Sequence, residues 1–444
     1  MSEAPLETIV APATPVGRSA LAIVRLDGPL SSSILCALSG RDLATFPERH
    51  VAHVLLRSEG ETLDDCVAIR YEAPRSFTGN DMVELITHGS PMIVARIVRA
   101  ATARGARVAE PGEFSERAVY NGKLDLVQAE AVADLIASRT ALQAKLSLSN
   151  LEGRLSSTAN RLRAELLDVI SRLEAALDFA DEGYEFITRE DARAVIESAR
   201  ARAASVLATF DRGRATAAGL SLVILGRTNV GKSTLLNFLC GSERAIVTDI
   251  PGTTRDLLRE TIEIGGLPVT LVDTAGLRAT PERVEQIGVD RARAAAAGAD
   301  IVLYLVDASG GASNDDAREM AAHPEALVVF TKADLADAPA GAWAISVRTG
   351  FNLDAFLREL DRRVRERYAA PEHDATIVNE RQRASIVECA EALADALEAV
   401  EDEREDEVIV VDLYRAANAL GALTGAISSD DVLSEIFSKF CIGK

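Results

Sequence analysis

Aromatic residues are scarce, with Phe, Trp and Tyr making up 4% of 444 residues. A surface built from rows of rings for stacking nucleobases is therefore not expected. Positive charge is also short: Asp and Glu number 68 against 48 Lys and Arg, a net charge of −20. That excludes a general nucleic-acid-coating protein and leaves room only for a local basic patch. Cysteines are few and scattered (Cys36, Cys66, Cys240, Cys389 and Cys441), and no pair has metal-ligand spacing. Free thiols in a reducing, cytoplasmic setting are the expectation. No uncharged stretch is long enough to span a bilayer, so no membrane association is expected. No basic segment followed by an apolar run opens the chain, so no secretory signal is expected. Proline is missing between Pro111 and Pro251, a gap that suits long helices.

What is present points to several domains, since the length exceeds one ordinary core. Residues 1–122 read as α/β. Leu21–Leu26, Cys66–Tyr71 and Met82–Thr87 are strand-like, and Pro91–Ala103 places Ile93, Ile97 and Ala101 on one helical face. From 123 to 216 the apolar spacing turns helical (Leu124, Val127, Ala131, Leu135, then Leu162, Leu166, Val169, Leu173, Leu177), with a helix start at Thr188–Asp191. Residues 217–369 alternate strand-like runs (Val269–Val272, Ile301–Val306, Ala326–Phe330) with helices, which predicts a mainly parallel sheet covered on both faces. Residues 370–444 are helical again (Ile386–Val400, Val411–Leu423, Asp430–Phe440), with the charge run Asp402–Asp406 as a solvated break. The expected fold is therefore α/β multidomain: an N-terminal α/β domain, and a split helical bundle domain into which a P-loop domain is inserted.

The chemistry centres on Gly226-Arg227-Thr228-Asn229-Val230-Gly231-Lys232-Ser233-Thr234, which fits the phosphate-loop pattern. A buried strand, Leu220–Leu225, precedes it and a helical stretch, Thr234–Leu239, follows. Its glycines turn the backbone so that N–H groups point inward. Those donors and the Lys232 ammonium neutralise a triphosphate, and the Ser233 hydroxyl reaches Mg²⁺. Asp273-Thr274-Ala275-Gly276 follows a strand and would sense a γ-phosphate. Thr331-Lys332-Ala333-Asp334 also follows a strand, and Asp334 can accept from guanine N1–H and its amine, a donor pair adenine lacks. GTPases usually have Asn at the position of Thr331, so weaker support of this loop is predicted. Ser346-Val347 stands where a backbone contact to guanine is usual. In the segment Ile246–Asp256, Thr254 is the second hydroxyl for Mg²⁺.

With these motifs, three further segments carry a resemblance over the whole chain. They are Pro111–Ala118 with Asn121–Leu126, Thr78–Asp81 with His88-Gly89, and Cys441-Ile442-Gly443-Lys444. The nucleotide segment resembles translation-factor-like, Ras-like P-loop GTPases. The whole chain resembles the tRNA wobble-uridine modification GTPase family (MnmE/TrmE). The resemblance implies a homodimer formed through an N-terminal tetrahydrofolate-binding domain, with 5-formyl-tetrahydrofolate contacted by Arg25, Glu84, Lys123 and Lys444. It implies K⁺ held by Asn229, Thr248, Ile250 and Thr253, standing in for an arginine finger, and Glu285 orienting the attacking water. It also implies tRNA as substrate and a flavin-dependent partner forming a heterotetramer. Together they would install an aminomethyl or carboxymethylaminomethyl group on the wobble uridine. Cys441 is open between a nucleophile and a small apolar contact. From the residues alone, a regulatory or ribosome-assembly switch GTPase is the rival; the folate-site residues and the Cys-Ile-Gly-Lys end speak against it, and intact Lys232, Ser233 and Asp273 speak against a mere scaffold.

Overall fold

Alternation of buried and outward side chains makes the first sheet. In β2 (Leu21–Asp27), Ala22, Val24 and Leu26 are buried while Arg25 projects to the opposite face. The computed structural model describes residues 7–179, 186–241, 244, 246, 260–272, 296–370, 375–427, 433, 436–438, 440 and 443. They fall into two units, 1–133 with 420–444, and 134–419.

In the first unit β1 (Ile9–Pro12), β2, α1 (Ser31–Ser39), β3 (Val51–Ser58), β4 (Glu61–Tyr71), β5 (Met82–His88), α2 (Pro91–Thr102), β6 (Arg107–Val108), α3 (Glu113–Tyr120) and α4 (Leu126–Ala137) follow in chain order. The six strands are ordered β3-β4-β5-β2-β1-β6. All neighbours are antiparallel except β1 and β6, which run parallel. One face packs Val24, Leu26 and Leu85 against Ile34, Leu35 and Leu38 of α1 and Ile97 and Ala101 of α2. The other face holds a smaller cluster of Ile9, Ala11, Ala109 and Phe114, with Phe77 against it.

The motif segments of this unit meet in a buried charge network. Asp27, fully buried, accepts from Arg117 Nη1 at 2.7 Å, from Asn80 Nδ2 at 3.0 Å and from the Thr78 hydroxyl. Arg117 also donates to Glu113 at 2.9 Å, and Arg107 reaches the same carboxylate at 2.7 Å. Each buried charge thus has an opposite charge and further hydrogen bonds, the condition under which such burial is tolerated. Asn121 Nδ2 adds bonds to the Thr78 carbonyl at 2.7 Å and to Asn80 Oδ1 at 3.0 Å. At the far end of the chain, Leu433, Phe437 and Phe440 pack with Leu126 and Ala129. Gly112, at φ +74°, lies so near Phe437 that a Cβ would stand 2.6 Å from its carbonyl oxygen. The helix expected over Asp430–Phe440 is seen at Leu433, Ile436 and Phe437 among the described residues.

In the second unit the order is α5 (Ala141–Leu151), α6 (Arg154–Asp178), α7 (Arg189–Leu207), α8 (Phe210–Ala218), β7 (Leu220–Gly226), α9 (Lys232–Gly241), β8 (Glu260–Ile264), β9 (Leu267–Val272), β10 (Ile301–Asp307), α10 (Asn314–Ala322), β11 (Leu327–Thr331), β12 (Trp343–Ala344), α11 (Leu353–Tyr368), α12 (Glu380–Glu401) and α13 (Asp406–Thr424). The Thr188 side chain accepts from the Asp191 amide, capping α7 where expected. The charge run 402–406 lies between the end of α12 and the start of α13.

The second sheet is ordered β12-β11-β10-β7-β9-β8, parallel throughout except for the antiparallel edge strand β8. Central strand β7 is buried on both sides: Leu222 and Ile224 join Leu235 of α9 and Phe356 of α11, while Val223 and Leu225 join Tyr304 and Phe330. Among the helices, α12 packs along α7, and α7 along α6. No helix of the described residues is long and apolar enough to cross a membrane.

Candidate functional site

The site sits at the carboxyl edge of the second sheet, where ligands bind in open α/β folds. Strand β7 ends at Gly226, whose φ of +137° and whose approach to the Leu305 carbonyl (2.4 Å from a would-be Cβ) admit only glycine. Asn229 and Gly231 also take positive φ, 61° and 98°, so the loop curls before α9 begins at Lys232. Such alternation of backbone conformation is what lets successive N–H groups converge on an anion. The Lys232 ammonium donates to the carbonyls of Gly226 and Arg227, both at 2.6 Å. Burial pushes its pKa below the ordinary value. Val230 is buried, and Ser233 and Thr234 are exposed at the start of α9.

The second loop follows β11. Thr331 is 4% exposed, and its hydroxyl donates to the Val230 carbonyl at 2.5 Å. The same hydroxyl lies 3.2 Å from the Val306 carbonyl. The threonine hydroxyl thus reaches the phosphate loop itself. Lys332, at φ 56°, pairs with Asp307 at 2.6 Å, and the Ala333 amide donates to the Ile345 carbonyl at 3.1 Å. The Asp334 carboxyl is held below its usual range by a hydrogen bond from Ser346 and by Arg348, which donates to it at 2.7 Å. Ser346 is buried, and Val347 packs partly buried against the core. Asp334, Ser346 and the phosphate loop therefore belong to one hydrogen-bonded frame. Sequence reasoning missed Asp307 and Arg348; the strand ending at Asp307 beside Thr331 was the available signal for the first.

Other expected site residues lie outside the described residues: Thr248, Ile250, Thr253 and Thr254 of the segment after α9, Asp273, Thr274, Ala275 and Gly276 after β9, Glu285, and Cys441 and Lys444 at the end of the chain. Strand β9 ends at Val272, paired in parallel with Val223 of β7, the strand that leads into the phosphate loop. Among the described residues no three His, Cys, Asp or Glu gather as a metal cage. A Mg²⁺ held by one or two hydroxyls and the substrate's own phosphates needs none.

In the first unit the structure brings Arg25 and Glu84 together as cross-strand neighbours, joined at 2.7 Å with little exposure on either side. The Tyr71 hydroxyl donates to Glu84 at 3.1 Å. The Arg25 guanidinium lies over Phe77 and Phe114, 5.4 and 5.5 Å from the ring centres, and reaches toward the Gly443 carbonyl at 3.5 Å. Lys123 has its own partner, the Pro74 carbonyl at 3.1 Å.

Comparison with known families matches residues 8–123 to the GTP-binding protein TrmE N-terminus and residues 126–441 to the MnmE helical domain. The tRNA modification GTPase MnmE of Koribacter versatilis is 40% identical over 451 residues, covering 99% of each chain. That of Aquifex aeolicus is 40% identical over 446 residues, covering 99% of this chain and all of its own. Among solved structures, Aquifex aeolicus Era bound to GDP and aluminium fluoride matches 39% of this chain and 66% of its own, at 26% identity and a TM-score of 0.25.

Proposed function

The chain belongs to the MnmE family of tRNA modification GTPases, and on that premise we propose that GTP turnover at the Gly226–Ser233 loop serves modification of the tRNA wobble uridine. The observation that carries the nucleotide assignment is the joining of the two loops, in which Thr331 tethers the Asp334 segment to the Val230 carbonyl. A base held by Asp334 is then fixed relative to phosphates held by the Gly231 and Lys232 amides, and fixed position is most of what phosphoryl transfer asks of a protein.

In this reading Ser233 and Thr254 hold Mg²⁺, Asp273 to Gly276 sense the γ-phosphate, and Val347 with Ser346 flanks guanine. Asn229, Thr248, Ile250 and Thr253 hold K⁺, which supplies positive charge between the phosphates. Glu285 orients the attacking water. The positive φ of Asn229 is compatible with a side chain turned out of the loop. In the first unit, Arg25, Glu84, Lys123 and Lys444 take a formyl-tetrahydrofolate that supplies the one-carbon unit. The Arg25–Glu84 pair offers a donor and an acceptor side by side, which suits a pterin edge. The protein works in the cytoplasm as a homodimer, joined by a flavoprotein partner into a heterotetramer. Residues 1–122 form the dimerisation and folate domain, 123–216 with 370–444 the helical one, and 217–369 the GTPase.

The test is GTP hydrolysis by the purified protein in KCl and in NaCl. Faster turnover in KCl, reproduced by Rb⁺ and NH₄⁺, is expected; a rate indifferent to the cation sinks the K⁺ assignment. For the tail, Cys441→Ser is expected to leave GTP hydrolysis near normal and abolish modification. Wobble-nucleoside analysis of tRNA from cells carrying only the variant reads this out, and normal modification removes Cys441 from the site.

A further inference from the structure

Charge is unevenly spread along two packed helices of the second unit. Over 154–164, α6 carries Arg154, Arg161 and Arg163 and no acid; over 198–207, α7 carries Arg200 and Arg202 and no acid. Arg202 pairs with Glu165 across the two helices, so these basic stretches lie side by side. In a chain of net charge −20 this is a local positive patch against a negative background.

A cavity of about 440 Å³ opens there, lined by Thr158, Arg202, Ser205, Thr209, Arg212 and Ala375 among others. Its donors can be counted. The Thr158 and Thr209 hydroxyls donate to the Arg154 and Val206 carbonyls. Arg202 gives Nε to the Ser198 carbonyl at 3.4 Å and one N–H of each terminal nitrogen to Glu165, which leaves a further N–H on each. Arg212 gives one N–H to the Glu366 carbonyl at 3.0 Å and keeps the rest. The exposed Ser205 hydroxyl adds another donor. Among the described residues the acids nearby include Glu165, held by Arg202; Glu152, 3.7 Å from Arg154; Asp211 of α8; and Glu366, paired with Arg362. Two planar guanidinium groups facing one hollow suit an anion with several acceptor oxygens.

We propose that this cavity binds a backbone phosphate of the tRNA, contacted by Arg202, Ser205 and Arg212, with the Glu165 carboxylate competing with it for Arg202. The proposal rests on the tRNA reading above. Such contacts position RNA without reading its sequence and make affinity depend on salt.

The test titrates the full-length chain with labelled tRNA across a series of KCl concentrations. In Arg212→Gln the slope of log affinity against log salt is expected to fall by about 1. In Glu165→Gln, which releases Arg202 from its carboxylate, affinity is expected to rise about threefold. The opposite signs separate a contact from a fold defect: both variants weakening alike, or both tracking the unsubstituted chain, overturns the proposal. Inorganic phosphate titrated by calorimetry distinguishes the source of the anion. Loss of phosphate binding in Arg212→Gln with an unchanged tRNA slope overturns the RNA assignment. Failure of the unsubstituted chain to bind tRNA at all overturns the tRNA reading itself, and this proposal with it.

Discussion

Thr331→Val removes one hydroxyl and leaves the side chain nearly the same shape. Threonine here is 4% exposed and donates to the Val230 carbonyl at 2.5 Å, with the Val306 carbonyl 3.2 Å away. Valine cannot donate, and water has little access to replace it. A buried acceptor left without its partner costs about 1–3 kcal/mol. Part of that loss appears as lower global stability and part as looser docking of the Asp334 loop on the phosphate loop. If about 1.4 kcal/mol falls on the docked, nucleotide-competent state, GDP affinity drops about tenfold. The assay is equilibrium binding of a fluorescent GDP analogue, with urea unfolding in parallel. Thr331→Ser keeps the hydroxyl and is expected to bind within about threefold of the unsubstituted protein, about 0.7 kcal/mol on the same scale. Binding and unfolding both unchanged in Thr331→Val would refute the tether.

Other outcomes follow from the same geometry. Arg117→Ala strands the fully buried Asp27 carboxylate; unfolding free energy should fall by about 3–5 kcal/mol, and a loss under about 1 kcal/mol in urea titration would contradict the network. Asp334→Asn should turn preference from guanosine to xanthosine nucleotides, because xanthine presents an acceptor where guanine has its amine; competition binding with GDP and XDP decides it. Burial holds the free Lys232 pKa below its ordinary 10.5, so its charge opposes folding at pH below that lowered value, and the opposition fades as pH rises through it. A phosphate beside the ammonium raises the pKa again, so nucleotide binding should take up protons over the window between the two values. Calorimetry in buffers of different ionisation enthalpy measures the uptake, and none in that window would show Lys232 to be remote from the phosphates.

The phosphate loop was legible because its spacing and its flanks agree: a continuous apolar strand must be buried on both faces, and Leu222, Val223, Ile224 and Leu225 are. Strands such as Met82–His88 and helices such as Glu380–Glu401 were legible for the same reason, their period matching one face or two. Less legible were β3, whose outer face mixes Val51 and Leu55 with His53 and Arg57, and β12, only two residues long. The Asp27–Arg117–Glu113–Arg107 network could not be read, since its partners stand up to 90 positions apart and nothing local marks a charge as buried. The motif segments drew notice, but what several of their residues do here is pair with one another. The contact of the Thr331 hydroxyl with the Val230 and Val306 carbonyls could not be read either, since those partners stand 101 and 25 positions away.

The packing of α12 along α7 bears on synthesis. The segment between Leu207 and Glu380 contains the entire second sheet. A ribosome adding about 5–20 residues per second needs roughly ten to forty seconds between finishing α7 and finishing α12. Through that interval α7 has α6 to pack on and still lacks α12. The nucleotide-binding segment can meanwhile close around its own core. Nascent chains stalled before residue 380 should therefore bind GTP while recruiting chaperones to the waiting helices, and chains stalled beyond residue 424 should release them.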